Sequence, residues 1–157
     1  MGTRADIISV AEHHVGYKES AGNKNIFGKW YGMDGLAWCA MFVSFVYDKA
    51  GLPLGKIDSP KGYHYCPSAY NFWRKKGLLT ENPKAGDIVL FDFNKDKKMD
   101  HTGIFIGWVD DSRKEFYSIE GNTSAGVAGS QSNGDGVYKR KRAYSKAGVI
   151  FVNHLND

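Results

Sequence analysis

Cys39 stands in the segment Ala37-Trp38-Cys39-Ala40-Met41-Phe42-Val43-Ser44-Phe45-Val46, where a thiol opens a run whose apolar positions recur at helical spacing. Cys39, Phe42, Val43, Val46 and Ala50 follow i, i+3, i+4, i+7, i+11, which describes one buried stripe and puts the sulfur on the first turn of a helix. A helix start carries partial positive charge and unpaired N–H groups. Both lower a thiol's pKa, and both can hold a developing oxyanion. A cysteine so placed is suited to attack a carbonyl carbon. A thiol on an apolar helix face more often only packs, so the catalytic reading needs partners elsewhere in the chain.

The first partner is a base, and imidazole is the side chain poised for that work near neutral pH. Among five histidines, His13 and His14 fall in a first helix, His64 in an aromatic loop and His154 near the end. His101 opens the run His101-Thr102-Gly103-Ile104-Phe105-Ile106-Gly107 directly after a charged turn. A residue at the mouth of a strand is held by the sheet and still reaches solvent, which makes His101 the candidate base. The second partner is an acceptor that fixes the imidazole tautomer. Glu120 and Asn122 lie two residues apart at a strand end, so both side chains are expected on one face, and either could accept from His101. Gly121 between them allows close backbone approach. The order Cys39, His101, Glu120 suits hydrolysis of an amide through a thioester.

The elements that must position these groups read helices first, strands after. Thr3-Arg4-Ala5-Asp6 has the form of a capping box with Asp in place of Glu, and Gly16 closes that first helix. A loop from about Glu19 to Gly35 leads into the Cys39 helix, which Gly51-Leu52-Pro53 terminates. Another helix is expected from Pro67 or Ser68 to Lys76. Strands are expected over Asp87–Phe93, Thr102–Val109, Glu115–Glu120, Gly136–Arg142 and Val149–Val152, with a long Gly-, Ser- and Asn-rich loop at 122–136. This pattern indicates an α+β domain with the helices on one side of an antiparallel sheet of five to six strands. At 157 residues and 42% hydrophobic content, the chain fits one domain, 1–157.

Four blocks of the sequence resemble those of the CHAP domain. They are Gly35 to Ser44 around the cysteine, Pro83-Lys84-Ala85-Gly86-Asp87-Ile88-Val89-Leu90-Phe91, then Asp100-His101-Thr102-Gly103-Ile104, and Ile119-Glu120-Gly121-Asn122-Thr123. The resemblance, from about Val10 to Val152, implies a papain-like fold and a cysteine- and histidine-dependent amidohydrolase or peptidase of the kind found in phage endolysins and bacterial wall hydrolases. It implies Cys39 as nucleophile, His101 as base and acid, Glu120 as the group orienting His101, and Asn122 as an auxiliary polar residue. Some members of the family place Gln before the nucleophile as an oxyanion donor. Here Trp38 stands there, and the backbone N–H of Cys39 is expected to carry more of that role.

Cys66, between Tyr65 and Pro67, is expected to be a packing or semi-exposed thiol. Tyr31 and Trp38, the aromatics nearest Cys39, are expected either in the core or lining a groove for a sugar or peptide stem. No cofactor is expected. His13-His14 lacks the spacing of a helical metal pair, and the loop before Cys39 offers only Asp34 with Asn23 and Asn25. Asp92-Phe93-Asn94-Lys95-Asp96 opens like an EF-hand loop, but Lys97 and Gly103 stand where Gly and Glu are required, so no metal is expected.

No run approaches the roughly 20 apolar residues that cross a bilayer, and Met1–Val15 lacks the apolar core of a signal peptide. Together with the resemblance to wall hydrolases, that implies synthesis in the cytoplasm and action on the wall after release or export. The net charge of +4 fits an anionic partner. Lys139-Arg140-Lys141-Arg142 on a strand would send alternate charges to opposite faces, which makes it a poor basic patch for nucleic acid; an anionic bacterial wall suits the charge as well as DNA would, and it is the resemblance to the CHAP domain that implies bacterial peptidoglycan as the partner. An immunity protein, or a holin or secretion system, is the further partner expected of an effector or endolysin. Two alternatives stay open: a cysteine amidase or protease acting on soluble peptides, and a non-catalytic wall- or nucleic-acid-binding module.

Overall fold

The computed structural model describes residues 2–123 and 134–157. Helix α1 (Arg4–His13) begins at the expected capping box, with the Thr3 side chain accepting from the Asp6 N–H and the Asp6 carboxylate accepting from the Thr3 N–H. A 3₁₀ turn (Ala21–Asn23) and α2 (Ile26–Tyr31) follow inside the segment expected to be loop. Helix α2 has its own signals: Asn25 caps it by accepting from the Gly28 N–H at 2.7 Å, and Gly32 ends it at φ 99°. Six residues are too few to show a helical period.

Helix α3 (Cys39–Lys49) carries the expected stripe, but Ala40, Met41, Ser44 and Tyr47 are buried as well. It is enclosed because it packs at once on α1, α2 and two central strands. Helix α4 spans Cys66–Lys75, starting at the second cysteine.

Six strands, β1 (Leu79–Thr80), β2 (Ile88–Phe91), β3 (His101–Trp108), β4 (Glu115–Thr123), β5 (Gly136–Ala143) and β6 (Val149–Val152), form one sheet in the order β1-β6-β2-β3-β4-β5. All pairs are antiparallel. This is the α+β, papain-like arrangement expected. Strand β1 is the unforeseen sixth, two residues on the sheet edge. Of the expected 122–136 loop, residues 124–133 lie outside those described.

Strand alternation divides the sheet's side chains between two faces. Ile88, Leu90, Ile104, Ile119, Val137 and Val152 join the helices in the main core. Val89, Phe91, Phe105, Phe116, Val149 and Phe151 form a second cluster, with Trp108 and Tyr144 packed against it. Among the described residues no helix of the main core joins this second layer; its large aromatic rings bury one another.

Candidate active site

The head of α3 sets the sulfur. Trp38 occupies the N-cap without a side-chain cap hydrogen bond, so the first-turn N–H groups are not spent on a capping side chain. The Ala40 N–H reaches the Cys39 sulfur. Cys39 is 7% exposed. Its thiol is held well below the usual range, first by a hydrogen bond from Cys66, then, against the effect of burial, by His101 and the Ala40 N–H. Cys66 is pushed well above its usual range by the same contact and by burial. Of the two alternatives expected for Cys66, packing or semi-exposed, the structure has the packed one: it is 6% exposed, and it faces Cys39 because the N-termini of α3 and α4 meet. Both thiols are free.

His101 is fully buried. Its Nε2 pairs with Glu120 Oε1 at 2.9 Å, which leaves Nδ1 for the thiol. Nδ1 has no closed hydrogen bond, while the Cys39 side chain interacts with the ring. Such loose nucleophile–base geometry is usual before substrate binds. Burial works to lower the His101 pKa, but Cys39 and Glu120 outweigh it and push it up to about 9. Phe91 and Phe93 stack on the ring, each with its centroid 5.8 Å away. As the first residue of β3, His101 is shared between Phe91 of the second cluster, with the exposed Phe93 beside it, and the thiol at the head of α3.

Glu120 is also fully buried. Burial alone would raise its pKa, yet hydrogen bonds and charge from Arg142 and then His101 hold it down at about 2. Arg142 donates from Nε to Oε2 at 3.0 Å and from Nη2 to Oε1 at 2.5 Å, and the Ser118 hydroxyl donates to Oε2. Gly103 makes the space: a Cβ there would lie 2.5 Å from Glu120 Cγ. Arg142 was invisible as a site residue in the sequence. The available signal was the strand period, since Arg140 and Arg142 point inward from β5 while Lys141 is exposed.

The simple two-residue alternation expected for Glu120 and Asn122 is broken. The register shifts between Glu120 and Thr123, and Asn122 takes a left-handed φ of 55°. Of the pair, Glu120 is the one that meets His101; Asn122 is buried beside it in the chain. Trp38 does not line a groove. It is 0% exposed, stacks on Phe27 with centroids 5.3 Å apart and donates from Nε1 to Glu19 Oε1 at 2.8 Å. Tyr31 is 7% exposed, its hydroxyl engaged with His64 Nδ1 at 3.1 Å and the Gly62 carbonyl at 3.3 Å.

Among the described residues, Asp92, Asp96 and Asp100 bring carboxylate oxygens within 4.8 Å of one another. Asp92 accepts from the N–H groups of Asp96 and Lys97 at 3.2 and 2.7 Å, and Asp100 from that of Phe93 at 2.7 Å. These bonds close the turn that delivers His101. Before Cys39, Asp34 Oδ1 accepts from the Asn25 and Gly35 N–H groups, each at 2.9 Å. No described helix is long and apolar enough to cross a membrane.

Thiol, imidazole and carboxylate thus lie in sequence, an arrangement chemically able to perform acyl transfer to sulfur and hydrolysis of the product. The model of the CHAP domain matches residues 30–122, a span that takes in Cys39, Cys66, His101 and Glu120. A comparison with curated proteins gave no match.

Proposed function

The chain belongs to the CHAP domain family, and from that premise we propose that it is a peptidoglycan hydrolase. It would cut an amide bond of the bacterial wall, either N-acetylmuramoyl-L-alanine or a bond of the stem or cross-bridge peptide. The observation that carries this is the thiol at the unblocked head of α3 facing an imidazole whose other nitrogen is pinned 2.9 Å from a buried carboxylate. In this reading residues 1–157 act as one catalytic domain, and the protein works on the wall after release or export. The hydrogen bonds that tie Arg4 to Asp157 support the single domain.

The thiolate of Cys39 adds to the carbonyl carbon, and first-turn N–H groups of α3 stabilise the oxyanion. His101, protonated at Nδ1, gives that proton to the leaving amine as the C–N bond breaks, and the acyl group stays on sulfur. Water then gives a proton to Nδ1 and attacks the thioester carbon. The C–S bond breaks and the thiolate–imidazolium pair returns. Glu120 keeps the ring oriented and balances its charge throughout. Leu36, 51% exposed, and Tyr65, 47% exposed, stand close in sequence to the two cysteines. They take the substrate-contact role that the buried Trp38 cannot.

Cys39→Ala is expected to abolish lysis of purified walls while the protein stays folded. Mass spectrometry of fragments released from defined peptidoglycan by the wild type would identify the bond through its new amino terminus. Undiminished lysis by folded Cys39→Ala rejects the mechanism, and turnover of soluble peptides with sacculi left intact rejects the substrate.

A further inference from the structure

Four hydrogen bonds converge on the Glu120 carboxylate, and two come from one guanidinium. Oε1 receives His101 Nε2 and Arg142 Nη2; Oε2 receives Arg142 Nε and the Ser118 hydroxyl. A carboxylate held at one oxygen can rotate about its Cγ–Cδ bond. A two-point fork from arginine fixes its plane, which a lysine cannot do. The fork is itself held, because the Arg142 Cζ lies 5.2 Å from the Phe91 centroid and 5.1 Å from that of Phe93. The same two rings stack on His101. Both ends of the His101–Glu120 pair are therefore fixed by one clamp on the sheet face away from the helices.

We propose that Arg142 is a positioning residue of the catalytic relay, fixing the plane and the ionised state of Glu120 so that His101 is held, as a cation, toward Cys39. The proposal rests on the reading of Cys39 as nucleophile. An ordinary structural ion pair would serve stability alone. A positioning role also reaches the thiol: with the fork removed, Glu120 is buried with less compensation, its negative charge is disfavoured, and His101 loses the anion that supports its proton. The Cys39 thiolate then faces a neutral ring and becomes harder to form.

A cavity of about 230 Å³ lined by Phe91, Phe93, Arg142 and Lys95, among others, lies at the Arg142 side chain. It gives a small guanidinium ion a way to the position that Arg142→Ala would vacate, and the test uses it. Alkylation of Cys39 by iodoacetamide, followed by peptide mapping across pH, reads the thiolate without any wall substrate. Arg142→Ala should raise the midpoint by about one unit, which slows alkylation by about tenfold at pH values below the wild-type midpoint. Methylguanidinium should return the Ala variant toward the wild-type profile and leave the wild type unchanged. Arg142→Lys should fall between the two.

An unshifted profile in folded Arg142→Ala overturns the proposal, as does a shift that methylguanidinium does not reverse. Should the Ala variant fail to fold, the Lys variant decides, and an unshifted Lys profile overturns it. No wall is present in this assay, so the expected pattern supports the relay even where lysis experiments reject peptidoglycan as substrate.

Discussion

The Cys39 sulfur is stabilised as an anion from three directions: the Cys66 thiol, the His101 ring and the Ala40 N–H at the head of α3. Cys66 matters here as a donor. Cys66→Ala is expected to raise the midpoint of Cys39 alkylation and to lower turnover, whereas Cys66→Ser, which keeps a donor, should stay near the wild type in both measurements. The imidazole sets the alkaline limit. In the proposed mechanism its proton goes to the leaving amine, and its pKa is pushed up to about 9, so kcat/KM should fall as pH rises through about 9. A decline centred near the ordinary histidine value would mean that Glu120 does not support the charge. Cys39, His101 and Glu120, which the structure brings together, could be singled out in the sequence because each had a local signal: a helix start, a strand mouth, a strand end. Cys66 had none, and Arg142 had only the strand period, which gives its face and not its partner. Their roles arise from two helix starts meeting and from β5 pairing with β4, and neither fact is local to the residues concerned.

Contact between α3 and β4 depends on what is missing from Gly121. A Cβ there would stand 2.7 Å from Phe42 Cβ and 2.8 Å from Trp38 Cζ3, so any side chain forces the strand off the helix. Overpacking of this kind costs about 1–3 kcal/mol, and Gly121→Ala should lower Tm by roughly 3–10 °C for a domain of this size. Calorimetry of the variant checks it, and an unchanged Tm would show that α3 and β4 can separate freely. Where an element repeats its pattern over ten residues or so, as α1, α3 and α4 do, the sequence announces it. Helix α2 and strand β1 are too short for any period, and α2 was recognisable only from its cap residues Asn25 and Gly32. Strand β5 shows the opposite case. Its run Lys139-Arg140-Lys141-Arg142 alternates as a strand requires, and that period alone separates an exposed charge from one buried against Glu120.

At the scale of the whole molecule, the ends of the chain meet. Strands β2 to β5 follow one another across the sheet as a meander, but β6 returns to lie between β1 and β2, a pairing between distant segments that no local pattern encodes. Its return brings Asn153 and Asp157 against the first turn of α1, where Arg4 donates to Asp87 Oδ1 at 2.8 Å, to Asn153 Oδ1 at 3.0 Å and to Asp157 Oδ1 at 2.7 Å. Asp87 is the costly partner: it is 1% exposed, and burial raises its pKa against the hydrogen bonds from the Lys84 N–H and Arg4. A carboxyl whose folded pKa lies above its unfolded value of 3.8 destabilises the fold once ionised, and the effect vanishes as pH falls and the group takes up its proton. Arg4→Met removes the cation that limits this cost. The variant should lose about 1–3 kcal/mol at pH 7, since a buried acceptor is left under-satisfied, and the loss should shrink as pH is lowered toward 4 and Asp87 protonates more readily than before. Thermal melts of both proteins across that range test the sign. A deficit that stays constant or grows on acidification would show that Arg4 acts through packing or through Asp157, and not by neutralising the buried Asp87.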